Sequence, residues 1–290
     1  MITTQIQRKF QCTPLRYPGG KSSLAGFFDR VIQSQGWKDI TYIEPYAGGA
    51  GAALSLLIQG KVARIVINDY DPAVYAFWKS AVEHPRAFIK RIKNAPLTVE
   101  EWKQQKAIYK AKNLKKMMEL GFATFYLNRT NRSGVLDAGP IGGMNQTGKW
   151  KIDARFNRDA LSERVRLIGA NRDKITVLRK DGVEVIKEYA NRKDAFFYID
   201  PPYYEKGAML YLNAFNHAKH QELADVLNNR AQANWLLSYD AVDEIEKMYV
   251  PQGRLAETFS LRYSVHHNTK SGSELMIFSD AINTSLLPAS

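Results

Sequence analysis

In this 290-residue chain, Asp200-Pro201-Pro202-Tyr203 is the stretch whose residue types and spacing most directly imply chemistry. Phe196 to Ile199 is an apolar, aromatic-rich run of the kind that forms a buried strand. Neither proline can donate to a sheet ladder, so the strand must stop at Asp200. The acid falls at the carboxyl end of a strand, where open α/β sheets place their ligand crevices. An exocyclic amine on a nucleobase is a poor nucleophile, because its lone pair is delocalised into the ring. The Asp200 carboxylate and the Pro201 carbonyl can each accept one N–H of such an amine and draw the nitrogen toward tetrahedral geometry. Tyr203 can stack on the base meanwhile. An Asp-Pro turn without any chemical role has the same local sequence, so the tetrapeptide does not decide the matter alone.

The elements that would position such a site recur upstream. Tyr42-Ile43-Glu44-Pro45-Tyr46-Ala47-Gly48-Gly49-Ala50-Gly51 reads as a strand ending in an acid, then a glycine turn into an apolar helix from Ala52 to Ile58. It lacks G-x-G-x-x-G, which disfavours a pyrophosphate ligand. Arg64 to Asp69 is a second short strand ending in an acid, 25 residues beyond Glu44. That is the β-α-β distance at which an acid can take the two hydroxyls of a ribose. Pro72 then opens a helix through Tyr75 to Ala81. Two strand-end acids about a glycine turn imply a Rossmann-like half that binds a nucleoside. Arg16-Tyr17-Pro18-Gly19-Gly20-Lys21 forces a tight turn before a helix carrying Leu24, Phe27, Phe28, Val31 and Ile32. Its Gly-Gly-Lys-Ser lacks the first glycine and preceding strand of a phosphate-binding loop, so a nucleoside triphosphate is rejected.

Composition narrows the classes further. The lone cysteine, Cys12, excludes an internal disulfide, and the five histidines show no metal-ligand spacing, so no metal is expected. No apolar run approaches a membrane span, and Met1 to Phe10 lacks a signal peptide's apolar stretch; a cytoplasmic protein is expected. The net charge of +12 is concentrated: residues 83–180 hold 22 basic and 9 acidic residues, a net of +13, against 19 basic and 20 acidic elsewhere. A basic module inserted in a neutral scaffold points to a polyanion. Residues 86–127 read as helical. Asn128, Arg129, Asn131 and Arg132 are side chains suited to bidentate contacts with base edges. Gly134, Gly139, Gly142, Gly143 and Gly148 mark a loop or hairpin, after which Lys149, Lys151, Arg155 and Arg158 supply phosphate-type charge. Further strands are expected at Lys174–Leu178, Trp235–Asp240 and Glu274–Phe278, and a helix at His217–Leu227.

In this order the pieces resemble a Dam-type adenine-N6 DNA methyltransferase, from about Arg16 to Phe278. Arg16 to Lys21 is similar to the family's aromatic-x-Gly-Gly-Lys element, which implies that Tyr17 and Lys21 contact S-adenosylmethionine. Glu44-Pro45-Tyr46-Ala47-Gly48 resembles its acid-Pro-aromatic-x-Gly motif for the same cofactor. Asp69 matches the acid that holds the ribose, and Asp181 the acid that meets the cofactor's adenine. Asp200-Pro201-Pro202-Tyr203 is identical to the catalytic tetrapeptide, with Asp200 also at the cofactor. Leu127-Asn128-Arg129 fits the DNA-reading region. The chain departs from F-x-G-x-G at Tyr46-Ala47-Gly48-Gly49-Ala50, and it diverges after Arg132 from GATC-reading members, so no target sequence carries over.

The resemblance implies an α/β fold with a Rossmann-like methyltransferase sheet formed by residues 1–82 and 170–290. A mainly helical DNA-recognition domain would be inserted at 83–169. It also implies a monomeric prokaryotic or phage enzyme that flips an adenine out of double-stranded DNA. Cytosine-N4 methylation uses the same logic, usually with serine in place of Asp200; a catalytically inactive DNA-binding relative is the reading from another class.

Overall fold

The computed structural model describes residues 12–16, 21–205, 215–230, 232–265 and 268–287. Seven strands form one sheet: β1 (Thr41–Glu44), β2 (Arg64–Asn68), β3 (Ile175–Leu178), β4 (Ala195–Ile199), β5 (Asn234–Asp240), β6 (Leu255–Val265) and β7 (Asn268–Phe278). Their order is β3-β2-β1-β4-β5-β7-β6. The first five run parallel, while β7 lies antiparallel between β5 and β6. This is the Rossmann-like α/β sheet that the sequence implies.

Central parallel strands are covered on both faces, which is why they read as unbroken apolar runs rather than alternating ones. β4 shows the consequence. Phe196 and Tyr198 enter one apolar cluster with Phe28 and Tyr42, whereas Phe197 and Ile199 enter the other with Trp235 and Leu237. The first face is covered by α1 (Ala25–Ser34), α2 (Gly51–Ile58) and α3 (Pro72–Glu83). The opposite face is covered by α8 (Gly182–Tyr189), α9 (His217–Asn228) and α10 (Asp243–Tyr249). Each fully buried large apolar side chain contributes roughly 1.5–3 kcal/mol, so the two clusters anchor the sheet.

Strand order reverses between β1 and β4, whose successors lie to opposite sides. That switch point leaves a crevice at the carboxyl ends of the two strands. Glu44 ends β1, and Asp200 follows β4 directly. The two motifs singled out from the sequence thus meet at the switch point of the sheet.

Between α3 and β3 lie α4 (Pro85–Asn94), α5 (Val99–Ala111), α6 (Met117–Thr130) and α7 (Arg158–Ala170). The helical run expected over 86–127 is broken twice. Pro96 follows the end of α4, and Lys112 caps α5 in the left-handed region at φ 44°. The glycine-marked stretch after α6 forms successive turns rather than strands, with a single antiparallel bridge from Asn131 to Pro140. These helices do not pack as a body apart. Phe77 of α3 stacks on Phe125 of α6, and Phe88, Phe125 and Phe156 belong to the same core cluster as Phe28 and Tyr42. A Cβ at Gly121 would lie 2.4 Å from the Ala76 carbonyl oxygen, so glycine is what lets α6 approach α3 so closely.

Strand β6 went unread in the sequence. It sits at the sheet edge, paired on one side only, and its first residues Leu255 to Thr258 are half or fully exposed. An edge strand of that kind carries no continuous apolar run.

Candidate active site

The Asp200 side chain is 23% exposed and is held from β5: the Ser238 hydroxyl donates to its Oδ1 at 2.7 Å. Ser238 is itself 2.7 Å from the Tyr198 hydroxyl, which fixes its rotamer from the strand that delivers Asp200. Asp240, two residues on and 2% exposed, accepts from the Tyr204 and Glu205 amides at 3.0 Å each. With both prolines unable to donate, Asp240 and these two amides clamp the end of the turn. Lys21 enters from the short 3-10 turn before α1. Its Nζ lies 3.5 Å from Asp200 Oδ1, donates to the Tyr203 hydroxyl at 2.5 Å, and pairs with Glu274 of β7 at 2.9 Å. Burial pushes the Asp200 carboxyl above the usual carboxylate range, while Lys21 and Ser238 pull it back.

The cofactor-side residues converge on the same crevice. Glu44, 5% exposed, accepts from the Ala53 amide at 3.1 Å, so a strand-end carboxylate caps the third residue of α2. The turn between them passes through left-handed geometry at Gly48 (φ 46°) and Ala50 (φ 43°). At Gly51 a Cβ would stand 1.9 Å from the Ser22 hydroxyl, so with Ser22 in this rotamer the Lys21–Leu24 turn packs directly on the glycine. Asp69 accepts from Gly48 N at 3.0 Å and Asp71 N at 2.9 Å, which ties β2 to the glycine turn. Asn68 bonds the Pro45 carbonyl and both main-chain groups of Lys180, binding the ends of β1, β2 and β3 together. Burial pushes the Glu44 carboxyl up to about 8 and that of Asp69, still open to the crevice, up to about 7. Asp181 caps α8 through Val183 N at 2.9 Å and has Lys219 at 3.4 Å from its other oxygen.

Asp181, Phe215, Asp69, Gly48, Glu44, Lys21 and Asp200 line a single cavity of about 1030 Å³. That is the upper end of the range for small-molecule and cofactor sites. Tyr46 and Gly48 line it as expected. Tyr17, the other expected cofactor contact, lies outside the described residues. Tyr203 departs from expectation. Its half-buried ring turns toward Tyr239 and its hydroxyl toward Lys21, and Pro202 lines the cavity in its place. An apolar core behind the loop and a buried ammonium both attract the ring inward.

The residues expected to read DNA divide sharply. Asn128 is buried and fully spent: its oxygen accepts from Arg16 N at 2.7 Å, and its amide donates to the carbonyls of Arg16 and Gly134. Asn131 accepts from Trp102 Nε1 at 2.6 Å and donates to the carbonyls of Val135 and Leu136. Arg129 is 6% exposed, and its Nε donates to the Pro14 carbonyl. Desolvation, with Arg164 and Arg16 nearby, lowers its guanidinium to about 9. These three fasten residues 13–16 and the 132–140 turns to the end of α6, so as placed they present no base-reading edge. Arg132, Lys149, Lys151 and Arg155 are exposed, as a nucleic-acid contact requires.

Sequence reasoning missed Ser238, Asp240, Glu274, Phe215 and Lys219. Leu237-Ser238-Tyr239-Asp240 carried a usable signal, since a fourth strand ends there in an acid, with a second polar side chain two residues before it. Glu274 carried none.

The model of the D12 class N6 adenine-specific DNA methyltransferase family matches residues 17–261. The chain belongs to that family. It is therefore an enzyme of adenine-N6 DNA methylation, which removes the cytosine-N4 alternative. No curated protein matches the chain. Among the described residues, no helix is long and apolar enough to cross a membrane, and no cluster of His, Cys, Asp or Glu could hold a metal ion.

Proposed function

We propose that the protein methylates the N6 amine of an adenine rotated out of double-stranded DNA, using S-adenosylmethionine, with Asp200 as the principal acceptor. The observation that carries this reading is the position of Asp200. Its carboxylate, oriented by Ser238, lies on the same cavity as Glu44 and Asp69. The residues present fit the cofactor. Asp69 is fixed by two backbone amides yet keeps lone pairs for ribose hydroxyls, and Glu44 keeps one oxygen for a donor. Lys21, Tyr46, Gly48 and Asp181 complete the proposed cofactor wall. When bound, S-adenosylmethionine supplies a methyl group on a positively charged sulfur.

The chain itself contributes alignment and preorganised acceptors. Asp200 and the Pro201 carbonyl accept the two N6 hydrogens, so the nitrogen lone pair localises toward the methyl donor. Pro202 lines the cavity beside them and offers the base an apolar wall. An ionised carboxylate is the stronger acceptor. Burial raises the Asp200 carboxyl above its ordinary value, so the pH range over which it becomes ionised is displaced upward. Residues 83–169 are proposed as the target-recognition part, with Arg132 at a base edge and Lys149, Lys151 and Arg155 on phosphates.

Asp200→Ala tests the assignment. Methyl transfer to duplex DNA should collapse, while the fold and most of the DNA affinity are kept, since the interaction with the amine matters chiefly in the transition state. Near-normal turnover would refute it.

A further inference from the structure

Glu274 lies beyond the matched residues 17–261 and in a strand contributed by the far end of the chain. It is 1% exposed, and one of its carboxylate oxygens, Oε1, is buried without a hydrogen bond. Its other oxygen holds Lys21 Nζ at 2.9 Å, although the two residues are 253 positions apart. A buried carboxylate half-satisfied in this way is costly, and a core position on a strand is normally filled by an apolar side chain. Something offsets that cost.

The geometry around Lys21 indicates what it is. One ammonium, 7% exposed, stands between two carboxylates, and it is nearer to Glu274 (2.9 Å) than to Asp200 (3.5 Å). Its contact with the Tyr203 hydroxyl takes a further N–H. Lys21 and Glu274 balance each other in charge, which leaves Asp200 negative, oriented by Ser238 and only loosely held by the ammonium. Were Glu274 neutral, Asp200 would be the remaining carboxylate within 4 Å of the ammonium among the described residues. At low dielectric the two would close to a short ion pair. The oxygen needed by the substrate amine would then be occupied.

We propose that Glu274 is a positioning residue that competes for Lys21 and so keeps Asp200 available to the substrate amine. The inference rests on the role proposed above for Asp200. It acts through Lys21, not through contact with DNA or cofactor. The groups that face Glu274 are Lys21 from the turn before α1, Asp200 and Tyr203 after β4, and Tyr198 within β4. Opposite it on β5 is Asp240, whose oxygens are both taken by loop amides.

The test uses the full chain with Glu274→Gln, Glu274→Asp, Lys21→Met and the Lys21→Met/Glu274→Gln double variant. Glu274→Gln keeps the shape and removes the charge. Its kcat should fall about 10- to 100-fold, the cost of a small misplacement at the reacting centre. KM for DNA and calorimetric affinity for S-adenosylmethionine should stay within about threefold, less than one tenfold step in an equilibrium constant. The acid limb of its kcat profile should move to lower pH, because an undivided Lys21 favours ionised Asp200 more strongly. Glu274→Asp keeps the charge and should restore the wild-type limb.

In the Lys21→Met background, Glu274→Gln should add no further loss, the non-additivity expected of residues that act as one unit. Unchanged kcat in Glu274→Gln, an unmoved acid limb, or independent effects in the double variant would overturn the proposal. So would failure of both Glu274 variants to fold, which would make it a fold residue. Failure of the Asp200 assignment is separable, since it appears as activity in Asp200→Ala, whatever Glu274→Gln does.

Discussion

Glu44→Gln should make the ligand-free protein more stable, by an amount that grows with pH. The carboxyl of Glu44 is lifted from its ordinary 4.5 to about 8, mainly by burial, against the help it receives from the Ala53 amide. Between those two values the folded state binds a proton that the unfolded state has released. Stability therefore falls as pH rises through this window, and the whole penalty is present above it. A shift of about 3.5 units at 1.36 kcal/mol per unit sets an upper limit of about 5 kcal/mol above pH 8. At pH 6, some 1.5 units into the window, the same reasoning gives about 2 kcal/mol. Glutamine is neutral throughout, and its amide oxygen can still accept from Ala53.

Urea unfolding of wild type and Glu44→Gln at pH 5, 6, 7 and 8.5 measures the difference through the transition midpoints. The variant's advantage should be below about 1 kcal/mol at pH 5 and largest at pH 8.5, while its calorimetric affinity for S-adenosylmethionine falls. A pH-independent difference, or a variant less stable than wild type at pH 8.5, would refute the reasoning. The expected pattern is that of a binding site retained at the expense of stability.

Asn128→Ala should destabilise the fold, because Arg16 N, Arg16 O and Gly134 O all lose their partner; each buried group left unpaired costs about 1–3 kcal/mol. Thermal melting should show a clear drop with sequence preference unchanged, and a relaxed preference without destabilisation would return Asn128 to the DNA interface. Exposed Arg132 should behave oppositely: Arg132→Ala should relax base preference at a cost of about 1–3 kcal/mol on the target duplex, with little change in melting. Lys151→Ala should weaken binding to every duplex alike and flatten the slope of log K against log salt by about 0.9, as one lost phosphate contact requires.

How far the site could be read from residue order depended on how local each determinant is. Glu44 and Asp69 follow apolar runs and precede turn residues, and Asp200 is followed by two prolines. Strand ends of this kind are set by neighbours within a few positions. The central strands were legible because burial on both faces leaves a continuous apolar signature, whereas the edge strand β6 has no such signature. The order of those strands was not local, and it is the reversal between β1 and β4 that brings Glu44 and Asp200 to one cavity.

Charge type was equally visible along the chain, but the use made of each charge was not. Asn128 and Arg132 look alike in sequence, four positions apart in one polar run. One is consumed by Arg16, 112 residues away, and the other reaches solvent. Lys21 is divided between Asp200 and a glutamate from the far end of the chain. By itself, the sequence determined which acids end strands and where basic charge accumulates, because turns, prolines and composition act at short range. Which polar groups stay free for a ligand was decided only by tertiary structure, because desolvation and pairing depend on what the fold packs against each of them.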